Sequence, residues 1–276
     1  MLVVALHGFF GTPDDWRTAL HPLEDKIDLV TPDLAVWATR AGVTDFETFA
    51  SQFNRSVRLL VEESGDQVLI TGYSLGARLA AHCLLDEPDL YQAGIFISMN
   101  PGIIGGDFQS RRDRVAFDSA WSDRMRREPW EKTWKAWNEQ EVLKPGSLFE
   151  KSKEPRLIAA SPDHAEKISE AESRDRKLSG RREAWARAMD IWTLGLQSDL
   201  RRDLMDWTLE DEARSIVLMT GADDTKFTEI TEKWMNSVLA SGVAPESFRH
   251  VRIEGAGHRL LTEMPGAIAS EISKLL

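Results

Sequence analysis

Cysteine is almost absent from this chain: Cys83 is the only one in 276 residues. No intrachain disulfide can form and a four-thiolate zinc site is excluded, which fits a reducing compartment. Positive charge is also scarce, with 34 Lys and Arg against 45 Asp and Glu, a net charge of −11 and a pI near 5.1. Phosphate backbones and anionic lipids are bound by basic faces, so this balance argues against nucleic-acid and membrane partners. No apolar run approaches the roughly 18 residues that span a bilayer. The opening Met1-Leu2-Val3-Val4-Ala5-Leu6-His7-Gly8 lacks the basic and apolar regions of a secretory leader, so a cytoplasmic location is expected. What is present is ordinary globular material, 42% hydrophobic and 29% charged, which can build a sizeable core. The length suits one domain with a large insertion or two small ones.

Short runs rich in Val, Ile and Leu recur between Gly, Pro and Asp, as buried parallel strands do. They predict strands at Leu2 to Leu6, Leu29 to Thr31, Val68 to Thr71, Gly94 to Met99, Ile216 to Thr220 and Phe248 to Ile253. Helical spacing fills Pro13 to His21, Phe46 to Glu62, Leu75 to Asp86, Glu229 to Ala240 and Pro265 to Leu275. The alternation predicts an α/β class with a doubly wound, mostly parallel sheet. From 105 to 212 no strand is evident, while seven of the ten tryptophans gather there, more than packing of a small helical layer would need. This stretch reads as a helical cap inserted into a core made of 1–104 and 213–276, lying over the strands' carboxyl ends where open α/β sheets bind ligands.

The strongest chemical signal is Gly72-Tyr73-Ser74-Leu75-Gly76, a G-x-S-x-G between a predicted strand and a predicted helix. In that context the serine sits on a tight strand-to-helix turn, beside a helix N-terminus that favours developing negative charge. A nucleophilic serine needs a base, and the base an orienting carboxylate. Asp223 and Asp224 follow one strand end and His258 leaves a glycine-rich turn after another, giving the order Ser, Asp, His of the α/β-hydrolase fold. Chemistry alone does not separate the two aspartates; one of them is expected to be a solvated loop carboxylate. The first strand runs into His7-Gly8-Phe9, so the amides of Phe9 and Leu75 are candidate oxyanion donors, with His7 ordering the loop. Cys83, His82, His21, His164 and His250 read as structural.

Arg78 lies one helical turn after Ser74. Arg111, Arg112, Arg114, Arg124, Arg126 and Arg127 cluster in the insertion, most of them as a solvated face paired with Asp113, Asp118, Asp123 and Glu128. Any that point inward would recognise a carboxylate by bidentate hydrogen bonds.

His7-Gly8-Phe9-Phe10-Gly11 with Asp15-Trp16, and Gly72-Tyr73-Ser74-Leu75-Gly76-Ala77-Arg78, resemble the 2-succinyl-6-hydroxy-2,4-cyclohexadiene-1-carboxylate synthase family of menaquinone biosynthesis. The resemblance continues in Arg114-x-x-x-Asp118-x-x-Trp121, Glu128-Pro129, Trp137, Leu196 to Leu200, Gly221 to Phe227, and Gly255-Ala256-Gly257-His258 with Glu263-x-Pro265. It implies elimination of pyruvate from an enolpyruvyl-bearing cyclohexene; no motif for nucleotide, flavin or metal binding is evident in the sequence, so no cofactor is implied. It assigns Ser74 and His258 to proton abstraction and Asp224 to orienting the imidazole. Arg78 and Arg114 would bind carboxylates of a small anionic substrate, Tyr73 and Trp137 would line the pocket, and a further cap cation falls at Arg176, with Arg174, Lys177 and Arg181 competing. Two departures stand out: Asp33-Leu34-Ala35-Val36-Trp37 replaces the family's Asp-Leu-Pro-Gly-His-Gly, and Asn138 follows Trp137 where some relatives have an aromatic. The same triad would serve a carboxylesterase or thioesterase, and a noncatalytic receptor on this fold is a third reading.

Overall fold

The computed structural model describes residues 1–148 and 179–276. Six strands form one all-parallel sheet in the order β2-β1-β3-β4-β5-β6: β1 (Leu2–Leu6), β2 (Asp28–Val30), β3 (Val68–Tyr73), β4 (Ala93–Ile97), β5 (Ser215–Gly221) and β6 (Phe248–Ile253). The central strands are apolar on both faces because both are covered. Successive residues point to opposite sides, so Val3 and Ala5 of β1 join Ile95, Ile97, Val217 and Met219 on one face. There they meet Trp16 and Leu20 of α1 (Pro13–Leu20) and Ile268 and Ile272 of α10 (Pro265–Ser273). Val4 and Leu6 join Ile70, Phe96, Ile216 and Leu218 on the other. That face is covered by α3 (Phe46–Ser64), α4 (Leu75–Asp86) and α9 (Thr225–Ser241).

Helix α9 starts four residues before the sequence expectation because Asp224 caps it, its carboxylate accepting from the Phe227 amide at 3.4 Å. The departing Asp33–Trp37 stretch begins a short helix, α2 (Leu34–Ala38), capped by Asp33, which accepts from Ala35 and Val36 amides. His7 fastens this helix to the turn after β1. Its Nε2 accepts from the Leu34 amide at 3.1 Å, so the proton lies on Nδ1, which donates to Gly8 O at 2.9 Å.

Between β4 and β5 the described residues form α5 (Phe108–Arg127), α6 (Trp130–Asn138), α7 (Arg182–Ile191) and α8 (Arg201–Leu209), with no strand among them. The tryptophan surplus is mostly packing after all: Trp121, Trp130, Trp185, Trp192 and Trp207 are buried in the core cluster, and Trp130 and Trp185 sit edge-on to Phe10 from the turn after β1. Arg187 of α7 donates to Ala38 O at 2.7 Å and Val43 O at 3.0 Å, locking α7 to the end of α2. No helix among the described residues is long and apolar enough to cross a membrane.

Candidate active site

Ser74 occupies the sharp turn between β3 and α4 with φ 54° and ψ −110°, a left-handed backbone that an L-residue adopts only under constraint. The constraint is the close approach of the neighbouring backbones. A Cβ on Gly76 would lie 2.0 Å from Leu6 O, and one on Gly72 would lie 2.3 Å from Gly76 O. Only glycine at both positions lets the turn press against β1.

The Ser74 hydroxyl lies 3.2 Å from Nε2 of His258, and His258 Nδ1 lies 2.7 Å from Oδ2 of Asp224. An ionised carboxylate can only accept, so Nδ1 carries the proton and Nε2 is free to accept from Ser74. Both His258 and Asp224 are buried, and the Phe227 and Tyr73 rings pack against the imidazole at 4.5 and 5.6 Å between centroids. Asp224 thus does two jobs with two oxygens: Oδ1 caps α9 and Oδ2 holds the histidine. Asp223 is exposed and its carboxylate accepts from the Ser147 amide at 2.7 Å, away from the imidazole.

A cavity of about 200 Å³ opens on Ser74 and His258. Phe9 and Leu75, Arg78 and Arg114, and Trp137, stacked on Phe9 at 5.2 Å, all line it, together with Trp121, Trp192 and Lys226. Tyr73 lines an adjoining cavity with Arg259 and Asn138 instead, sharing Phe9 and Trp137 as the partition. Asn138 accepts from Arg259 at 2.6 Å, so the departure after Trp137 supplies a polar clasp for the residue following the histidine. Arg176, with Arg174 and Lys177, lies outside the described residues. Arg181 is paired with Asp33 at the cap of α2.

Arg78 is buried beneath the cavity, donates to Trp192 O and lies 5.0 Å from the Phe46 ring centroid, while its Nε has no partner among the described residues. Burial pushes its pKa down to about 9, Arg114 adds to the fall and Asp118 opposes it. The guanidinium remains a cation at neutral pH. Arg114 Nε donates to Asp118 Oδ2 at 2.8 Å, and the same oxygen accepts from Thr193 Oγ1 at 2.6 Å. Asp118 is only 2% exposed, so this is no solvated pair: a buried carboxylate aims a half-buried arginine at the cavity. The i,i+4 spacing announced the pair but not its burial. Of the other insertion arginines, Arg124 and Arg127 pair with Glu128 and Asp123 as expected, whereas Arg126 crosses to Glu183 and Asp190. Arg111 donates to the carbonyls of Ile103, Gly195 and Gln197, and Arg112 to Gln109.

A strap at 144–148 crosses the turn that carries His258. The Glu263 carboxylate, itself buried, accepts from Gly257 N at 2.6 Å and from Gly146 N at 3.2 Å, and Leu148 N donates to Gly255 O at 3.0 Å. A Cβ on Gly146 would lie 2.4 Å from both Gly255 O and Gly257 N, so the two backbones touch. Glu263 was visible in the sequence only as part of Glu-x-Pro, with nothing to show what it holds.

A family model described as "Alpha/beta hydrolase family" matches residues 3–271. The chain is 27% identical to a 2-succinyl-6-hydroxy-2,4-cyclohexadiene-1-carboxylate synthase of Serratia proteamaculans, over 99% of this chain and 92% of that one. A relative of the same name from Klebsiella pneumoniae is 26% identical, over 99% and 93%. Among solved structures, MenH from S. aureus superposes with a TM-score of 0.76 at 17% identity, covering 100% of this chain and 93% of that one. A thermophilic esterase from Thermogutta terrifontis, with malate bound, gives 0.64 at 20%, covering 99% and 88%.

Proposed function

The chain belongs to the alpha/beta hydrolase family, and from that premise we propose that it is a 2-succinyl-6-hydroxy-2,4-cyclohexadiene-1-carboxylate synthase, a carbon–oxygen lyase that releases pyruvate. The observation that carries the reading is the pair Arg78 and Arg114 on the wall of the cavity that opens on Ser74. A neutral acyl substrate has no use for two guanidinium groups there, whereas an enolpyruvyl cyclohexene bearing several carboxylates does. The net charge of −11 makes these local cations necessary.

In the reaction His258 Nε2 accepts the Ser74 hydroxyl proton and Ser74 oxygen removes a proton from the substrate ring. Electron density then moves to break the bond between ring carbon and enolpyruvyl oxygen, and pyruvate leaves as its enolate, which takes up the proton held by the His258 imidazolium and so restores the neutral ring. Asp224 keeps the proton on Nδ1 and stabilises the imidazolium. The Phe9 and Leu75 amides hold the negative charge that develops on the substrate carbonyl. Helices α5, α6, α7 and α8, between β4 and β5, act as a cap that removes the reacting bond from water. A small anionic substrate is the partner, with no nucleic acid or membrane surface involved, and the enzyme works in the cytoplasm.

The test incubates purified protein with the enolpyruvyl intermediate and, separately, with a p-nitrophenyl ester. Efficiency on the first should exceed that on the second by orders of magnitude, and Ser74→Ala should lower it by about a thousandfold or more while leaving the circular dichroism spectrum unchanged. Preference for the ester would make the protein a carboxylesterase using the same triad.

A further inference from the structure

The motif Asp224-x-Lys226-Phe227 carries, two residues after the carboxylate that holds His258, an ammonium that lines the cavity. Of the other two cations there, Arg78 donates to Trp192 O from beneath the cavity, and Arg114 spends only its Nε on Asp118, which leaves its terminal nitrogens for a ligand. Lys226 has no ion-pair partner among the described residues, and its Nζ lies 5.7 Å from the Phe227 ring centroid. Burial lowers its pKa from the ordinary lysine value and the Arg114 guanidinium lowers it further, while Asp224 and Asp118 oppose the fall. Helices α5 and α9 therefore hold two mutually repelling cations at one cavity. An anion placed between them converts that repulsion into two attractions.

We propose that Lys226 and Arg114 together form a carboxylate subsite distinct from the one at Arg78, and that Lys226 determines specificity for a substrate with a second, outlying carboxylate. This rests on the synthase reading of the cavity. Arg78 is one helical turn from Ser74 and buried, so it serves a carboxylate fixed close to the reacting ring carbons. Lys226, in the first turn of α9, lines the cavity on a flexible four-carbon stem, and suits the mobile carboxylate of a succinyl arm.

The probe is 4-(2-carboxyphenyl)-4-oxobutanoate, a stable aromatic dicarboxylate with the carbon skeleton of the product named for the relatives. Binding is read from quenching of the cavity tryptophans, Trp121, Trp137 and Trp192. Lys226→Met should weaken the dicarboxylate by about tenfold or more, the loss expected for a charge-assisted hydrogen bond, and Lys226→Arg should recover most of it. The ester of the butanoate carboxylate should bind wild type and Lys226→Met equally weakly, whereas the ester of the benzoate carboxylate should still show the loss. Equal affinities of wild type and Lys226→Met for the dicarboxylate, or the same loss on both esters, would overturn the assignment. Failure of the synthase reading looks different: wild type would neither bind the dicarboxylate nor turn over the enolpyruvyl substrate. The efficiency ratio of p-nitrophenyl hemisuccinate to p-nitrophenyl acetate then decides, a fall in Lys226→Met supporting the subsite and an unchanged ratio removing it.

Discussion

Two adjacent aspartates at one strand end have opposite fates, and the difference is a matter of which oxygen meets which hydrogen. Asp224 is buried against His258, so Asp224→Asn presents either a poorer acceptor or an amide N–H to a nitrogen that must keep its proton. Turnover should fall by about ten-thousandfold in Asp224→Asn and by less than about tenfold in Asp223→Asn, measured on the same substrate. Charge burial also shapes the acid limb of stability. His82 stacks on Phe46 at 4.6 Å and is held neutral by burial, with Arg78 adding, so that its pKa falls to about 3 from 6.5. Glu47, 3.7 Å away, therefore faces an uncharged ring at neutral pH. Between 6.5 and about 3 the unfolded chain binds a proton that the folded one does not. Its contribution is thus intact above pH 6.5 and is lost at about 1.4 kcal/mol per unit as pH falls through that window. Burial lowers the His7 pKa too and adds in the same sense. In His82→Phe, which keeps a ring against Phe46 and cannot titrate, unfolding free energy measured against pH should fall less steeply on the acid side.

At the level of elements, the strands were the easiest part to read. Buried parallel strands need apolar residues on both faces, a local property, and β1 and β6 fall on their expected limits while β2 is displaced by one residue. The site was legible to the extent that its residues stand directly after strands: Ser74 after β3, Asp224 past β5, His258 past β6. Illegible were the contacts that depend on distant segments meeting. Nothing near Asp118 foretells that Thr193 buries it, and nothing near Glu263 foretells a strap 117 residues earlier in sequence. Because Gly257 N donates to Oε2 of that carboxylate and Gly146 N to both oxygens, Glu263→Gln turns one of these acceptors into a donor facing at least the Gly146 amide. The variant should lose about 1–3 kcal/mol of unfolding free energy in a urea titration and lower kcat more than it raises KM, since the histidine and not the substrate loses its seat.

For the molecule as a whole, the arrangement sets a small positive enclave inside an acidic protein. Arg78→Ala and Arg114→Ala should each cut efficiency on the polyanionic substrate by about tens to thousands of fold, through loss of a partly desolvated ion pair. The ratio of that efficiency to efficiency on a neutral ester should fall with it; equal losses on both substrates would mark the arginines as structural. The strap at 144–148 has a consequence for how such an enclave opens. The long excursion between β4 and β5 is pinned to the core partway along its length, at the turn bearing His258. Lifting the strap and loosening that turn are then one event with one free energy. In a deuterium-exchange time course the amides of Gly146, Leu148 and Gly257 should lose protection in step, and a bound dicarboxylate that slows one should slow all three by the same factor.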